Sequence, residues 1–401
     1  MKLKRTNTCG ELAKKDIKKE VVLNGWVSSS RDHGGIIFID LRDRYGLTQI
    51  VFDPKHDKKT HKEAEQLRRE DVIAIKGKVR YRGKDLENPN LKTGEIEILV
   101  DELEVLSKAD VPPLEIEDRV EANEDMRLKY RYLDLRRPKM QRHLLVRHNA
   151  AQAAREYLNK NNFLEIETPI LVRATPEGAR DYIVPSRINP GKFYALPQSP
   201  QLYKQILMVS GFDRYYQIAR CLRDEDLRAD RQPEHTQIDL EMSFITADDV
   251  MELVEGLYKY MMKKVLKIDI NYKFPKISHK EAMEKYGSDK PDLRFGLEFI
   301  DVTEIAKKSD FQVFNKAEKI KCINPEDKFS RNEIDDLINF AISVGSKGLA
   351  WMRVTDKGLE SNIVKFFNAE LQKNLIEKTK AKKGSILFFV ADKEKNTNEI
   401  L

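Results

Sequence analysis

Between residues 17 and 106 apolar and polar positions alternate in short runs, the period of half-buried strands. Runs at 21–27, 36–41, 47–52, 72–79 and 95–100 predict five strands, the last setting Ile96, Ile98 and Val100 on one face. Gly34-Gly35 and the segment 43–46 supply the first two turns. A charged segment at 60–70 suits a helix between the third and fourth strands. Five strands with a helix in that place have the order of an OB barrel, a pattern that other small barrels share.

The texture then changes. Val111-Pro112-Pro113 interrupts any regular element, and a stretch dense in Arg and Lys follows it, closing on Arg136-Arg137-Pro138. This reads as a hinge, which either touches a phosphate backbone or is simply solvated. A 3.6-residue period returns at 142–159, with Leu144, Ala151, Ala154 and Leu158 on one helical face. Residues 163–171 read as extended, and Pro169 within them lacks a ladder donor, so it belongs at an edge or interface. Strand signals at 192–196, 214–219 and 237–244 alternate with helical ones at 201–210 and 247–264, which predicts a mixed α+β domain with antiparallel pairing. From about 291 a second α+β unit begins: Phe299, Val302, Phe311 and Phe314 precede a helix at 330–344, a strand at 348–354, a helix at 363–376 and a strand at 385–391. The expected organisation is a barrel over 1–107, a hinge over 108–141, an α+β domain over 142–290 and a further α+β unit over 291–401.

Composition refines this only a little. Apolar residues are 40% of the 401, enough for several cores, and charged residues are 34%. The net charge of +6 fits either an anionic partner such as nucleic acid or a Lys-rich solvated surface. Cys9, Cys221 and Cys322 stand far apart with no CxxC, which argues against a disulfide framework or a cysteine zinc site and fits a reducing cytoplasm. The first fifteen residues have no apolar run, and no run of about 18 apolar residues exists to cross a membrane.

The densest chemistry lies at 195–241. Arg220, Arg223, Arg228 and Arg231 interleave there with Asp224, Glu225, Asp226, Asp230 and Glu234. Guanidinium groups suit phosphate oxygens, and carboxylates suit hydroxyls, amino groups or magnesium. The same stretch also reads as a hairpin laced with salt bridges. No nucleophile elbow and no HExxH occur.

Leu222-Arg223-Asp224-Glu225 resembles motif 2 of the class II aminoacyl-tRNA synthetases, and 162–171 with Pro169 resembles motif 1, the usual dimer interface. The run from Ala174 through Glu177 to Tyr182, the run from Gln198 to Gln205 and the run 223–234 narrow the resemblance to aspartyl-tRNA synthetases of the bacterial type. The likeness extends from the barrel to residue 401, with 291–401 similar to that family's insertion domain.

The resemblance implies a homodimer that joins L-aspartate to tRNA(Asp) through an aspartyl-adenylate, using ATP and Mg2+. It gives Glu177 and Asp239 to the substrate ammonium, Ser199 and Gln201 to its orientation, and Lys204 to the side-chain carboxylate. Arg223 would bridge the substrate carboxylate and the α-phosphate, while Asp224, Glu225 and Gln232 lie along the adenosine and His235 covers the adenine, where phenylalanine is commoner. The nucleophile is the substrate's own carboxylate, so catalysis is positioning and charge stabilisation.

The barrel is implied to read the anticodon, with Phe38 and Gln49 as base contacts and Arg31 for the backbone. For Phe38 a core aromatic is the lesser alternative, and Trp26 is expected in the core. His33 and Gly83 fit either a looser pocket that also accepts tRNA(Asn) or ordinary hairpin variation. The third class II motif, a glycine-rich segment with an arginine-bearing helix, is not found, so the expectation is that it lies outside residues 1–401 and that this chain alone forms adenylate poorly. A non-catalytic tRNA-binding protein is the alternative; intact Glu177, Lys204, Arg223 and Asp239 argue against it. Asparaginyl or lysyl specificity is a third, and Lys204 within its run argues for aspartate.

Overall fold

Strand β1 (Glu20–His33) buries every second residue from Val21 to Val27. The alternation continues through β2 (Ile36–Arg42) and β3 (Leu47–Phe52), then, after helix α1 (Lys58–Ala64), through β4 (Val72–Tyr81) and β5 (Ile96–Ser107). The five close into a barrel in the order β1-β2-β3-β5-β4, with β3 and β5 parallel and the other pairs antiparallel. Leu23, Ile39, Ile50, Ile75 and Ile98 fill it, all fully buried. Asp57 caps α1 by accepting from Thr60 N at 2.6 Å, so the helix starts two residues earlier than its charges suggest. Trp26 is not in this core. The period of two sets it with outward-facing Val22 and Asn24, and the Arg136 guanidinium lies over its ring at 5.0 Å.

The computed structural model describes residues 1–119, 122–226, 231–294 and 296–401, in two compact units, 1–271 and 272–401. The hinge is ordered around carboxylates. Helices α2 (Glu124–Lys129) and α3 (Arg131–Asp134) bring Arg127 and Arg131 onto the fully buried Asp134, which also accepts from Arg137 at 2.9 Å. Glu70, buried at the end of the barrel's helical insertion, accepts from Arg42 of the barrel at 2.8 Å and from Arg136 of the hinge at 2.7 Å. Helix α4 (Pro138–Lys160) starts on a proline, whose missing N–H costs nothing in a first turn.

Strand β6 (Leu164–Glu165) is much shorter than the extended run expected there. After it, the amide and hydroxyl of Thr168 turn to the side chain of Gln217, and Pro169 offers no donor to continue the ladder. A small ribbon, β7 (Ile183–Pro185) with β8 (Phe193–Ala195), precedes helix α5 (Gln201–Val209). The long hairpin of β9 (Arg214–Leu222) and β10 (Glu234–Met242) is antiparallel, and β6 joins β9 in parallel, giving the order β10-β9-β6. Leu158 of α4, Phe163, Tyr216 and Leu253 of α6 (Ala247–Met261) form the core behind it.

The second unit begins near Tyr272, earlier than the change of sequence texture near 291. Its first helix, α7 (His279–Tyr286), is polar in sequence, yet its last turn is gripped by the unit's sheet: the fully buried Lys321 donates to the carbonyls of Met283 and Glu284 at 3.1 and 3.0 Å. The sheet runs β11 (Ile300–Asp301), β12 (Lys319–Ile323), β15 (Ile386–Asp392), β13 (Ala350–Thr355), β14 (Gly358–Glu360), all antiparallel. Helices α8 (Thr303–Ala306), α9 (Gln312–Lys316) and α11 (Ala369–Thr379) build the core around Phe314, Leu375 and Phe389. A separate cluster joins α10 (Arg331–Ser343) to the sheet through Ile334, Ile386 and Phe388, and α12 (Glu394–Ile400) closes the unit.

Candidate functional site

The β9–β10 hairpin and α5 carry the first site. Alternation along β10 sends Asp239 and Glu241 to one face, and Lys204, one turn into α5, lies against both: its Nζ is 3.0 Å from Asp239 Oδ1 and 3.2 Å from Glu241 Oε2. Burial lowers the proton affinity of the Lys204 ammonium, but the two carboxylates outweigh it and hold the group charged above the usual lysine range. Burial pushes the Asp239 carboxyl up. Its second oxygen, Oδ2, is buried beside the Tyr215 hydroxyl, whose geometric hydrogen bond goes to Gln217 Oε1 at 2.9 Å, and it has no other partner among the described residues. That orphan acceptor suits an ammonium.

Glu177 and Ser199 meet from two loops, Ser199 Oγ donating to Glu177 Oε2 at 2.8 Å, and the amide of Gln201 points at Ser199 Oγ from 3.3 Å. The buried Gln198 holds the Glu177 loop, donating to the Ala179 carbonyl at 2.9 Å and to Asp181 while accepting from the Ala179 amide. Cys221 lies beneath: burial raises its thiol, and Arg223, Asp239, Glu177 and Lys204 are all close enough to bias it. Four residues chosen from separate parts of the sequence therefore converge on one place. Glu241 completes the lysine's surroundings and was missed, although the spacing that singles out Asp239 applies equally two residues on.

Beside this cluster a cavity of about 370 Å³ is lined by Arg223, Glu225, Asp226, Arg231, Gln232, Pro233 and His235. Arg223 is fixed by its amide, which donates to the Pro233 carbonyl at 2.7 Å, and its Nε is buried with no partner among the described residues. Asp224 stands outside that lining and pairs through its amide with the Arg180 carbonyl at 3.0 Å. Arg228 and Asp230 lie outside the described residues. The cavity's guanidinium, carboxylate, amide and imidazole groups are the set a nucleotide's phosphates, hydroxyls and base require.

A second site lies on the barrel. Arg31, His33, Phe38 and Gln49 line one concavity of about 720 Å³ with Arg80, Tyr81, Arg82, Leu86 and Glu97. Phe38 is half-buried on the outer face, its ring edge-on to His33 at 6.5 Å, so it is not a core aromatic. Polar contacts run across the floor. Arg31 donates to Asp40 at 3.0 Å and faces Gln49 Oε1; Gln49 Nε2 donates to Glu97 Oε2 at 2.7 Å; Arg80 donates to Glu97 Oε1 at 2.7 Å. Gly83 (φ +109) opens the adjoining loop, where a Cβ would touch Leu86 at 3.7 Å. Arg82 is buried, with its Nη2 unpaired among the described residues. Glu97 and Arg80 were missed because they lie on strands that the chain brings beside Gln49 only on barrel closure, and Arg82 directly follows one of them. Among the described residues no helix is long and apolar enough to cross a membrane, and no three His, Cys, Asp or Glu side chains gather as a metal cluster.

Comparison with known proteins identifies the family of both domains. Residues 123–397 match the family described as tRNA synthetases class II (D, K and N), and residues 21–106 match the OB-fold nucleic acid binding domain. The chain is 54% identical over 98% of its length to an aspartate–tRNA(Asp/Asn) ligase of Brachyspira hyodysenteriae, covering 68% of that protein. It is 53% identical to one of Caldanaerobacter subterraneus, again over 98% of its length and covering 67% of the relative. Among solved structures, asparaginyl-tRNA synthetase of Pyrococcus horikoshii with asparaginyl-adenylate superposes with a TM-score of 0.63 at 22% identity, over 97% of this chain and 93% of that one. A putative aspartyl-tRNA synthetase of Leishmania major gives 0.59 at 20% identity, over 94% and 72%. At those identities the two structures bear on the fold alone.

Proposed function

This chain belongs to the class II tRNA synthetases of the D, K and N group, and from that premise we propose that it ligates L-aspartate to tRNA(Asp), with tRNA(Asn) as a second acceptor. The observation that carries the reading is Lys204, a cation held between Asp239 and Glu241 in a half-buried site. An ammonium has three donors, two of which are taken, and the third meets the side-chain carboxylate of aspartate. Neutral asparagine would leave that cation poorly paired in a desolvated pocket, which selects the acid.

The α-ammonium of the substrate goes to Asp239 Oδ2 and Glu177, with Ser199 and Gln201 fixing its orientation. Arg223 bridges the α-carboxylate and the α-phosphate of ATP. Glu225 and Gln232 lie along the adenosine, and His235 covers the base. Asp224 contributes from outside the cavity wall through its pairing with Arg180. The substrate carboxylate attacks the α-phosphorus in line, giving aspartyl-adenylate and pyrophosphate, and the terminal ribose hydroxyl of the tRNA then loses its proton as it takes the aspartyl group, with AMP leaving. The protein positions the partners and stabilises charge through Arg223. Glu225 and Asp226 on the cavity wall would hold a magnesium ion brought in on the phosphates, which needs only one or two protein carboxylates, and the ion would supply charge neutralisation there.

The barrel concavity reads the anticodon: Phe38 stacks a base, Gln49 presents an amide set by Glu97, and Arg31 faces the backbone. His33 and Gly83 leave room for either third letter. The second unit is the insertion domain of this family, the protein is a homodimer through the segment around Pro169, and it works in the cytoplasm. Charging purified tRNA(Asp) and tRNA(Asn) by the full-length protein, with labelled aspartate and in parallel with labelled asparagine, tests the reading. Label on both is expected. Label on tRNA(Asp) alone removes the relaxed acceptor, and asparagine charged in preference to aspartate overturns the assignment of Lys204.

A further inference from the structure

We infer that His61, on the helix inserted into the barrel, is a positioning residue that holds the His33 hairpin in its reading pose; the inference rests on the barrel's role as anticodon reader. Strand β1 outruns the barrel wall, and Ser30 through Gly35 are exposed. The turn is Gly34-Gly35, both with positive φ (+62 and +78), and a Cβ at either would meet nothing within 4 Å. Among the described residues nothing packs where a Cβ of either glycine would sit, and two hydrogen bonds hold Gly35. Its amide donates to Asp32 Oδ1 at 2.9 Å, within the hairpin, and its carbonyl accepts from His61 Nε2 at 2.9 Å, from outside it.

A carbonyl only accepts, so Nε2 of His61 carries the proton, and Nδ1 faces Glu65 Oε1 at 3.7 Å. The donor is rigidly mounted. His61 is 13% exposed, and its helix is fixed by the Asp57 cap and by the burial of Thr60 and Ala64. The recipient is next to the reader: His33 adjoins the turn, and its ring meets Phe38 edge-on on the wall of the concavity. Loss of the His61 bond leaves the turn held only by Asp32 and the end of the β1–β2 ladder at His33 and Ile36, since β3 pairs with β2 only from Ile37 on, and the His33–Phe38 pair is less firmly fixed before any base arrives.

The test is fluorescence anisotropy with the full chain and two synthetic RNA stem-loops whose anticodons are GUC and GUU. His61→Ala is expected to weaken binding about fivefold without a change in Tm, and His61→Gln, whose amide can donate to the same carbonyl, to return it to within about twofold. In a double-mutant cycle the His61→Ala and His33→Ala losses are expected to be less than additive, because His61 acts through His33. Unchanged affinity in His61→Ala, strict additivity, or failure of His61→Gln to restore binding overturns the inference while leaving the barrel's role intact. A wild-type chain that binds neither stem-loop overturns both.

Discussion

Lys204 Nζ lies 3.2 Å from Glu241 Oε2 and is at the same time bonded to Asp239, so the cation that faces the substrate is also what keeps two carboxylates together in a half-buried site. Lys204→Met leaves those carboxylates uncompensated. Such a change is expected to destabilise the fold by about 3 kcal/mol and, in the full-length protein, to abolish aspartate-dependent pyrophosphate exchange. Urea denaturation reads the first effect and an exchange assay the second. An active, fully stable variant would show that the pairing matters to neither.

Asp134 collects Arg127, Arg131 and Arg137 with no exposure to solvent. Burial alone would raise its carboxyl, yet the arginines hold it below the usual aspartate value of 3.8. A depressed folded-state value means that its stabilisation is complete above 3.8 and is lost as pH falls through the lower folded-state value. Asp134→Asn should cost about 3 kcal/mol at pH 7 and should flatten the acid limb of a Tm-against-pH curve. An unchanged acid limb would assign that limb to other carboxylates.

Lys321 donates to Met283 O, Glu284 O and Asn398 Oδ1, three neutral acceptors, and burial lowers its proton affinity. The folded state therefore gives up this proton more readily than the unfolded chain, and stability should rise with pH in the window just below the ordinary lysine value of 10.5. Lys321→Met leaves the three acceptors unpaired, a loss of about 2 kcal/mol, and should remove the alkaline rise. Chemical denaturation at pH 7 and pH 10 distinguishes the two contributions.

Phe38 and Gln49 differ in what they offer an RNA base. Phe38→Ala removes a stacking surface and should cost about 1–3 kcal/mol of stem-loop affinity whatever the sequence. Gln49→Leu removes an oriented amide and should reduce the preference between matched and mismatched loops more than the affinity itself. Titrations with matched and mismatched stem-loops separate the two; equal, sequence-blind losses in both variants would make Gln49 a structural residue.

The barrel was legible because its strands bury every second residue, which the sequence displays directly, and that same period explains the error at Trp26: size suggested the core, while its parity with Val22 and Asn24 places it outside. The short β6 was not legible, since the Gln217 side chain that takes over from the ladder at Thr168 is 49 residues away. The second compact unit starts before the texture change near 291 because α7 is held by Lys321, a buried cation in a strand, and nothing in a polar helix announces such a grip. In the site, Glu177, Lys204, Arg223 and Asp239 could be chosen from motif and chemistry. Glu241 needed only the strand period, whereas Glu97, Arg80 and His61 needed the closed barrel.

Glu70, with Arg42 on one side and Arg136 on the other, has a bearing on ionic strength. RNA held by surface cations is released as salt rises, because each phosphate contact competes with free counterions. Buried ion pairs are screened far less. Concentrated salt should therefore empty the barrel of RNA while leaving it seated on the hinge, so that the unloaded protein keeps the same geometry it presents to its next acceptor.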